Sequence, residues 1–318
     1  MSLSYLQLVE RADSVPHRDE VEKYASFKSQ VYTFIAHDGR HELGYILPLV
    51  VEKLSEHPDV VTIDQFARTV RLNPSLTTVE SRSDALMSIA NQWKENGTFK
   101  FLKGWRNEPL TIFDEFRKPY MHLERVLCPL LGVVMYGILV NGYVVDEETG
   151  EKKLWVSKRS ETKPTYPGQH DALAGGGIGY PYGIWETCHK ECFEEAGIDK
   201  DYLEKHTRSA GLISYLYQKK KDDFTTEGGY VRPEVAYVFD FEMGKDVIPR
   251  PVDNEASGFE LLSFNEVAQR LKEGRFKYNS GASIVDFFIR HGFITPENEP
   301  EYINIIGKLH RLLPFPLK

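Results

Sequence analysis

The chain has 318 residues, of which 41% are hydrophobic and 27% are charged, and its formal net charge is −8. A single hydrophobic core tends to stop growing at about 250 to 300 residues, so one large or two modest globular domains are expected. The negative charge argues against nucleic acid as the main partner, because nucleic-acid-binding domains usually carry a basic face. No apolar stretch reaches the roughly 20 residues of a membrane helix, so we expect no membrane association.

The cysteines and the start of the chain bear on its location. Cys128, Cys188 and Cys192 form an odd and sparse set, which is not typical of a disulfide framework. The first residues lack a basic segment followed by an apolar run, so they do not resemble a secretory signal. We therefore expect a cytosolic or nuclear protein, and its oligomeric state stays open.

Residues 1–120 are predicted to form a smaller N-terminal α+β domain. Apolar spacing and the placement of proline predict its elements. These are a helix at 4–12, a hairpin of strands at 31–35 and 43–47, and helices at 48–54 and 81–93. The boundary is placed near Pro119, before a strongly apolar stretch.

Residues 121–318 are predicted to form a second domain of the α/β (α+β) class with a mixed sheet. Strands are predicted at 128–140, 154–159, 212–217, 235–241 and 258–262, with a charged hairpin tip at 146–153 and a glycine-rich loop at 174–183. Helices are predicted at 184–196, ending at Gly197, at 265–273 with Ser263 as the cap, and at 281–292.

Three carboxylates on the predicted helix at 184–196 are the main candidates for chemistry. Glu191, Glu194 and Glu195 are three and four residues apart, so they lie on neighbouring faces of one turn and repel one another. A divalent cation would remove this repulsion, and carboxylate oxygens suit Mg²⁺, which also binds substrate phosphates. Alone, the same three residues are also typical of a solvated acidic helix face.

The loop before this helix contains a cluster of glycines, including Gly175, Gly176 and Gly177. Glycine lets the backbone approach a phosphate group closely, so these three residues are predicted to bind substrate. Glycines also serve plain turns and helix starts, and the loop by itself leaves that alternative open.

Together the loop and the helix resemble the Nudix hydrolase box. Gly176 takes the first place of that box, and the carboxylates of Glu191, Glu194 and Glu195 take the places of its helix glutamates. The resemblance implies a Nudix α/β/α sandwich with a mixed sheet, and Mg²⁺, or Mn²⁺ in its place, held by those three glutamates. It also implies a pyrophosphohydrolase that acts on a small diphosphate.

The box has two departures from the family pattern. Tyr182 stands where the first glutamate belongs, and Lys190 stands where the arginine belongs. Lysine keeps the positive charge but lacks the planar fork of donors. Since the glutamates of the helix are all present, the resemblance still implies activity.

A wider set of segments is similar to the Nudix branch that acts on thiamin diphosphate and its oxo and oxy forms. The segments are at 105–108, 158–163, 166–171, 174–176, 232–235 and 253–261. This likeness implies hydrolysis of such a substrate to the monophosphate and phosphate. It also implies an N-terminal extension domain, which here contains Trp105.

The resemblance implies further roles outside the box. Nudix enzymes often use a general base there, for which Glu234 and Glu255 are the candidates, with Glu227 third. Each of them is also typical of a surface or strand-edge carboxylate. Arg159 and Lys163 are predicted to contact the diphosphate, although both could simply be solvated.

Aromatic side chains are candidates for the organic part of the substrate. A thiazolium ring is a flat cation, which aromatic faces bind through cation–π contacts, and Trp105 and Tyr182 are predicted to do so. Core packing is the ordinary use of such residues.

Two other functions remain open from the sequence. One is a Nudix hydrolase of a nucleotide derivative such as ADP-ribose, a dinucleotide or an oxidised nucleoside triphosphate, against which the segment at 105–108 argues. The other is a Nudix-fold module that binds a metabolite without catalysis. Tyr182 and Lys190 favour this module, whereas retention of three mutually repelling glutamates opposes it.

Overall fold

The structure is a computed structural model that describes residues 2–163, 165–218 and 229–318. Within these ranges the chain folds into two packed α/β units. No helix in the described ranges is both long and apolar enough to cross a bilayer.

The first unit is built on a four-stranded sheet with the strand order β2-β1-β4-β3. Its strands are β1 (Tyr32–Ile35), β2 (Glu42–Ile46), β3 (Val61–Asp64) and β4 (Thr69–Leu72), and its helices are α2 (Val21–Lys28), α3 (Pro48–Leu54) and α4 (Val79–Glu95). A separate hairpin of β5 (Pro109–Phe113) and β6 (Pro119–Glu124) leads towards the second unit. The predicted hairpin of β1 and β2 is confirmed, as are the helices α3 and α4.

The second unit contains a seven-stranded mixed sheet. Its main path runs β11-β12-β7-β8-β13, with β10 paired to β7 and β9 paired to β8. The strands are β7 (Met135–Val145), β8 (Lys152–Arg159), β9 (His170–Asp171), β10 (Ala174–Gly177), β11 (Thr207–Gln218), β12 (Val231–Glu242) and β13 (Ala256–Ser263). Only β12 and β7 pair in parallel among these described strands, so the predicted mixed sheet is confirmed.

Helices cover both faces of this sheet. One face packs against α6 (Ile184–Ala196), with α7 (Lys200–His206) beside it. The other face packs against α1 (Tyr5–Glu10), α8 (Phe264–Lys272), α9 (Tyr278–Arg290) and α10 (Tyr302–Leu309). The resulting α/β/α sandwich confirms the predicted fold class, and the predicted helix at 184–196 has the predicted ends.

Two predicted elements are wrong. The apolar run at 128–140 was expected to be one strand, but Cys128–Leu131 is a short helix, α5, and β7 begins at Met135. Pro129 stands in its first turn, where proline is tolerated, and Gly132 ends it with a φ of +62°. A Cβ at Gly132 would lie 2.1 Å from the carbonyl oxygen of Tyr45, so another residue would not fit.

The second wrong element is the loop predicted at 174–183. Its first part, Ala174–Gly177, is the strand β10, which pairs with β7 through the register Gly176↔Ile138. Glycine is rare inside strands, because it adds no side chain to the packing, and this misled the sequence prediction. The glycines therefore lie on a rigid ladder rather than on a flexible loop.

Each end of the chain packs in the core of the other unit. Tyr5, Leu8 and Val9 of α1 belong to the core beneath α9 in the second unit. Phe315, near the C-terminus, packs in the core of the first unit, with its ring centroid 5.0 Å from that of Tyr45. The domain boundary predicted at residue 120 stays a prediction, and the packing crosses it in both directions.

Candidate active site

Helix α6 sets the orientation of the box glutamates. Its N-terminus is capped by Glu186, whose Oε2 accepts the backbone N–H of Gly183 at 2.7 Å, and Gly197 ends it with a φ of +67°. Cys188 and Cys192 are buried against the sheet, one turn apart. This packing turns Glu191 and Glu195, which lie three residues after Cys188 and Cys192, towards β10.

Glu195 is the most deeply placed of these carboxylates. Its Oε2 accepts the backbone N–H of Gly175 at 2.9 Å. Burial raises its pKa well above the ordinary value, and the negative charges of Asp171 and Glu191 raise it further. The site therefore holds a carboxylate whose charge its own surroundings do not balance.

Glu191 lies against the next residue of the glycine strand. A Cβ at Gly176 would come within 2.3 Å of the Glu191 carboxyl carbon, so only glycine leaves room for this side chain. Its side chain is 14% exposed, and Lys190 Nζ stands 3.9 Å from Oε1. Burial raises the pKa of Glu191 to about 7 despite the charge of Lys190.

Glu255 and Lys163 close the other side of the site. Lys163 forms an ion pair with the Glu255 carboxylate, and the Glu255 carbonyl accepts the Ser160 N–H at 2.9 Å. Burial alone would raise the pKa of Glu255, but Lys163 and the charge of Arg106 hold it below its ordinary value. Its carboxylate also faces that of Glu195. Glu255 thus belongs to the same cluster of carboxylates as Glu191 and Glu195 on α6.

Glu194 is not brought into these surroundings. Its side chain is 46% exposed, and its Oε2 lies 3.7 Å from Lys190 Nζ. Lys190 Nζ stands 5.9 Å from the ring centroid of Tyr182, which is itself half exposed. These three residues form a solvated rim outside the glycine strand. Their predicted roles stay predictions.

Arg159 is engaged elsewhere. Its Nη1 donates to Asp171 Oδ2 at 2.8 Å, and its Nη2 donates to the carbonyl of Thr165 at 2.9 Å. Asp171 also receives Lys277, whose Nζ is 3.7 Å away, and the hydroxyl of Ser280. These contacts hold the loop around residue 165 in place, and contact of Arg159 with a diphosphate stays a prediction.

The first unit reaches the site through the segment at 105–108. Glu124, which is buried, accepts the backbone N–H groups of Arg106 and Glu108 at 2.9 Å each. The Trp105 indole N–H donates to Asn107 Oδ1 at 2.9 Å, and Lys94 Nζ stands 4.4 Å from the indole ring. One face of Trp105 is therefore already in a cation–π contact, and its predicted substrate contact stays a prediction.

Arg125 is a site residue that the sequence analysis missed. Its Nη1 lies 3.0 Å from Glu108 Oε2, and its Cζ is 3.5 Å from the position of a Cβ on Gly177. Burial would lower its pKa, but Glu108, Glu234 and Glu191 outweigh that effect and raise it. The charged pair Glu124 and Arg125 within the largely apolar stretch at 120–131 is a signal that could have found it.

The two further base candidates differ in what the structure describes. Glu234, on β12, has its Oε1 3.8 Å from the position of a Cβ on Gly137 of β7. Glu227 lies outside the described residues. The roles of both as a general base stay predictions.

The cluster of carboxylates of Glu191, Glu195 and Glu255 fits a hard divalent cation. Among the described residues, no group of three or more acidic, histidine or cysteine side chains is arranged to hold a metal ion. Mg²⁺ does not require one, because it usually binds one or two carboxylates and completes its shell with water and substrate phosphates. Glu191, Glu195 and Glu255 supply such oxygens. Burial is the main cause of the raised pKa values of Glu191 and Glu195, and neighbouring negative charge, which a cation would offset, raises them further.

Comparison with protein families gives two adjacent matches. Residues 13–135 match "Domain of unknown function (DUF4743)", and residues 135–280 match "NUDIX domain". The matches meet at the start of β7, which lies after the hairpin of β5 and β6. The segment at 105–108 therefore falls in the first family, and the box helix falls in the second.

Curated relatives match along most of the chain. An uncharacterized protein of Saccharomyces cerevisiae is 36% identical, covering 98% of this chain and 92% of its own length. Nudix hydrolase 24, chloroplastic, of Arabidopsis thaliana is 34% identical over 85% of this chain and 74% of the relative. Nudix hydrolase 20, chloroplastic, of the same plant is 33% identical over 84% and 70%.

Solved structures align with about half of the chain. The NUDIX domain of Shewanella oneidensis NrtR complexed with ADP ribose has a TM-score of 0.37 and 10% identity, covering 51% of this chain and 90% of that one. An Ap4A hydrolase of C. elegans in a binary complex has a TM-score of 0.36 and 11% identity, covering 50% and 99%.

Proposed function

The chain belongs to the Nudix hydrolase family and is a Nudix pyrophosphohydrolase, and from that premise we propose that it hydrolyses thiamin diphosphate or its oxo and oxy forms. The products are the monophosphate and inorganic phosphate, and the reaction depends on Mg²⁺. Members of the family generally use divalent metals.

One observation carries the metal dependence. Glu191 and Glu195 are buried beside the glycine strand β10 with raised pKa values, and Glu255 faces Glu195. One or two of these carboxylates would hold the cation, which when bound offsets charge on phosphate oxygens and lowers the pKa of a bound water. Without it, the ionised forms of Glu191 and Glu195 are disfavoured, as their raised pKa values indicate.

The chain's own residues perform the remaining tasks. Arg125 and Lys163 supply positive charge on the two sides of β10 and would bind phosphate oxygens. Gly176 and Gly177 allow the close approach of the phosphate to the backbone. Of the predicted bases, Glu255 is better placed to accept the proton of the attacking water, because Lys163 and Arg106 keep it ionised beside Glu195.

The substrate proposal has two supports. The first is the set of segments that resemble the thiamin diphosphate branch. The second is the position of one of them, because Glu108 in the segment at 105–108 pairs with Arg125 at the glycine strand. A Nudix hydrolase of ADP-ribose or a dinucleotide is the second candidate, and a binding module without catalysis is the third.

A release assay separates the three candidates. Phosphate and monophosphate products are measured with Mg²⁺ or EDTA over thiamin diphosphate, its oxo and oxy forms, ADP-ribose and NADH. We expect Mg²⁺-dependent release from the thiamin series and its loss in Glu195→Gln. The matched control is Glu52→Gln, an exposed glutamate on α3 of the first unit.

Two results would contradict the proposal. Faster release from ADP-ribose or NADH than from the thiamin series would favour the nucleotide candidate. Equal and low release from the wild type and Glu195→Gln would favour the binding module.

A further inference from the structure

The inner face of β11 and β12, beneath α9, carries polar groups that the proposed chemistry does not use. The strand register places Tyr215 opposite Glu234 and Tyr217 opposite Arg232. Residues directly opposite in an antiparallel pair project from the same face. Glu234 is the member nearest the glycine strand, since its Oε1 is 3.8 Å from the position of a Cβ on Gly137. A carboxylate and a guanidinium therefore stand two residues apart beside two tyrosine rings.

Further aromatic rings border this face. Tyr278, the first residue of α9, stacks on Tyr217 with centroids 4.4 Å apart and an angle of 14° between the rings. Tyr215 and Tyr166 each meet Tyr278 edge-on, at 6.1 and 5.6 Å. Tyr166 has a φ of +53°, in the left-handed region that side chains other than glycine rarely adopt. Such strain is retained where surrounding contacts or a function require it.

Two buried polar atoms on this face lack a hydrogen bond of full geometry within the described part of the chain. The Tyr215 side chain is 2% exposed, and its hydroxyl lies beside Glu234 and Asn279 without reaching hydrogen-bond geometry with either. Arg232 Nε is also buried without a hydrogen bond in the described part of the chain. Neither Glu234 nor Arg232 forms an ion pair within residues 2–163, 165–218 and 229–318. Buried polar groups without partners are costly, so a ligand that satisfied them would be bound.

We propose that the organic part of the diphosphate substrate binds on this inner face, with its cationic or N–H-bearing ring atoms against Glu234. This inference rests on the proposed function and names its recognition site. A carboxylate accepts hydrogen bonds or balances a positive ring, and tyrosine faces attract cations. The Tyr215 hydroxyl and Arg232 donate to acceptor atoms of the same ring system. The ligand class is a flat heteroaromatic ring that carries a positive charge or an amino group.

The site gives Glu234 a role in specificity rather than in proton transfer. A ring that reaches Glu234 has its diphosphate at the glycine strand, because Gly137 borders both Glu234 Oε1 and the carbonyl of Gly176. Loss of a contact made equally to substrate and transition state raises KM and leaves kcat unchanged. Loss of a general base instead lowers kcat on every substrate.

The test compares two diphosphates that differ only in the ring system. KM and kcat are measured with thiamin diphosphate and with methyl diphosphate, which has no ring, for the wild type, Glu234→Gln and Tyr215→Phe. We expect KM for thiamin diphosphate to rise about tenfold or more in each variant, with methyl diphosphate unaffected. The control is Tyr237→Phe, the same substitution on the opposite face of β12, where Tyr237 stacks on Tyr136.

The outcomes separate this inference from the proposed function. Equal loss of kcat on both diphosphates in Glu234→Gln would overturn it, since Glu234 would then act at the reacting atoms. If the wild type cleaves neither diphosphate, the proposed function fails, and binding of thiamin diphosphate by calorimetry decides the inference. Weaker binding in Tyr215→Phe then supports it, and binding equal to the wild type overturns it. Tyr215→Phe removes one oxygen, so it also decides the matter if Glu234→Gln does not fold.

Discussion

Two largely buried carboxylates of the second unit have pKa values that their surroundings shift in opposite directions. Asp171 receives Arg159 and Lys277, whose charges outweigh burial and hold its pKa below the ordinary value. Glu195 receives one backbone N–H, from Gly175, and burial raises its pKa well above the ordinary value. Asp171 belongs to a completed ion cluster, whereas Glu195 belongs to a cluster that still lacks positive charge.

This difference distinguishes a structural group from a functional one. A buried charge that is paired within the fold has its desolvation cost offset by its partner, and removal of that partner destabilises the fold strongly. A buried charge without a partner opposes folding and is retained where a ligand completes the site. The same physical rule therefore gives opposite predictions for the two carboxylates, and each prediction can be measured.

The largest expected effect is that of Glu195→Gln. We expect Mg²⁺-dependent hydrolysis to fall about a thousandfold, since a metal ion contributes several kcal/mol to the transition state. The metal-free protein should become more stable, by about 1 kcal/mol, because glutamine keeps an acceptor for Gly175 and removes the buried charge. Rates and chemical denaturation in EDTA check the two parts.

The informative feature of that experiment is that activity should fall while the stability of the metal-free protein rises. Glu52→Gln, on the exposed surface of α3, should change neither rate nor stability. A Glu195→Gln protein that is less stable in EDTA and equally active would contradict the contrast, because Glu195 would then be structural like Asp171.

Asp171→Asn should have the next largest effect, on stability instead of chemistry. The substitution leaves Arg159 and Lys277 without their anionic partner in a mostly buried position. We expect the free energy of unfolding to fall by about 3 kcal/mol. Urea denaturation measures it, and a change below about 0.5 kcal/mol would show that the cluster is not a structural ion network.

The contrast also explains what the sequence could predict. The helix at 184–196 and its end at Gly197 could be predicted because local periodicity and a terminal glycine determine them, whereas the metal role of Glu191, Glu194 and Glu195 stays a prediction. The mixed sheet followed from strand patterns in the same way. Asp171 was included only in a resembling segment, and Arg159 was predicted to contact the diphosphate. Their ion cluster was not predicted because it is completed by Lys277, more than a hundred residues further along the chain.

Contacts between distant segments account for what was missed. Arg125 reaches the glycine strand because β6 ends beside it, and nothing in the neighbouring sequence specifies that placement. The short helix at Cys128–Leu131 replaced a predicted strand because Pro129 and Gly132 define a local turn within apolar residues. Residues that depend on tertiary contacts are thus the ones that periodicity cannot identify.

A third test extends the comparison to Asp13, a buried carboxylate that ties the chain ends together. Its Oδ1 receives Arg311 Nη1 at 2.8 Å and the Leu216 N–H at 2.9 Å. Burial alone would raise its pKa, but His17 and Arg311 hold it below the ordinary value. A lowered folded pKa adds stability above the unfolded pKa, and this stability is lost as pH falls through the folded pKa.

Asp13→Asn should therefore destabilise the protein by about 2 kcal/mol at neutral pH. The gap between variant and wild type should shrink below about pH 4, where the wild-type carboxylate becomes protonated as well. Denaturation across pH checks this, and a gap that stays constant would show that the effect comes from lost packing and not from charge.

The smallest effect is expected for Glu194→Gln in the metal-free protein. Glu194 is 46% exposed and faces Lys190 at 3.7 Å, so the free energy of unfolding should change by less than about 0.5 kcal/mol. With Mg²⁺ present, the loss of activity in Glu194→Gln is compared with that in Glu195→Gln. This comparison shows whether the Glu194 side chain turns inward when the cation binds. A loss comparable to that of Glu195→Gln would place Glu194 on the cation, and wild-type activity would leave it on the solvated rim.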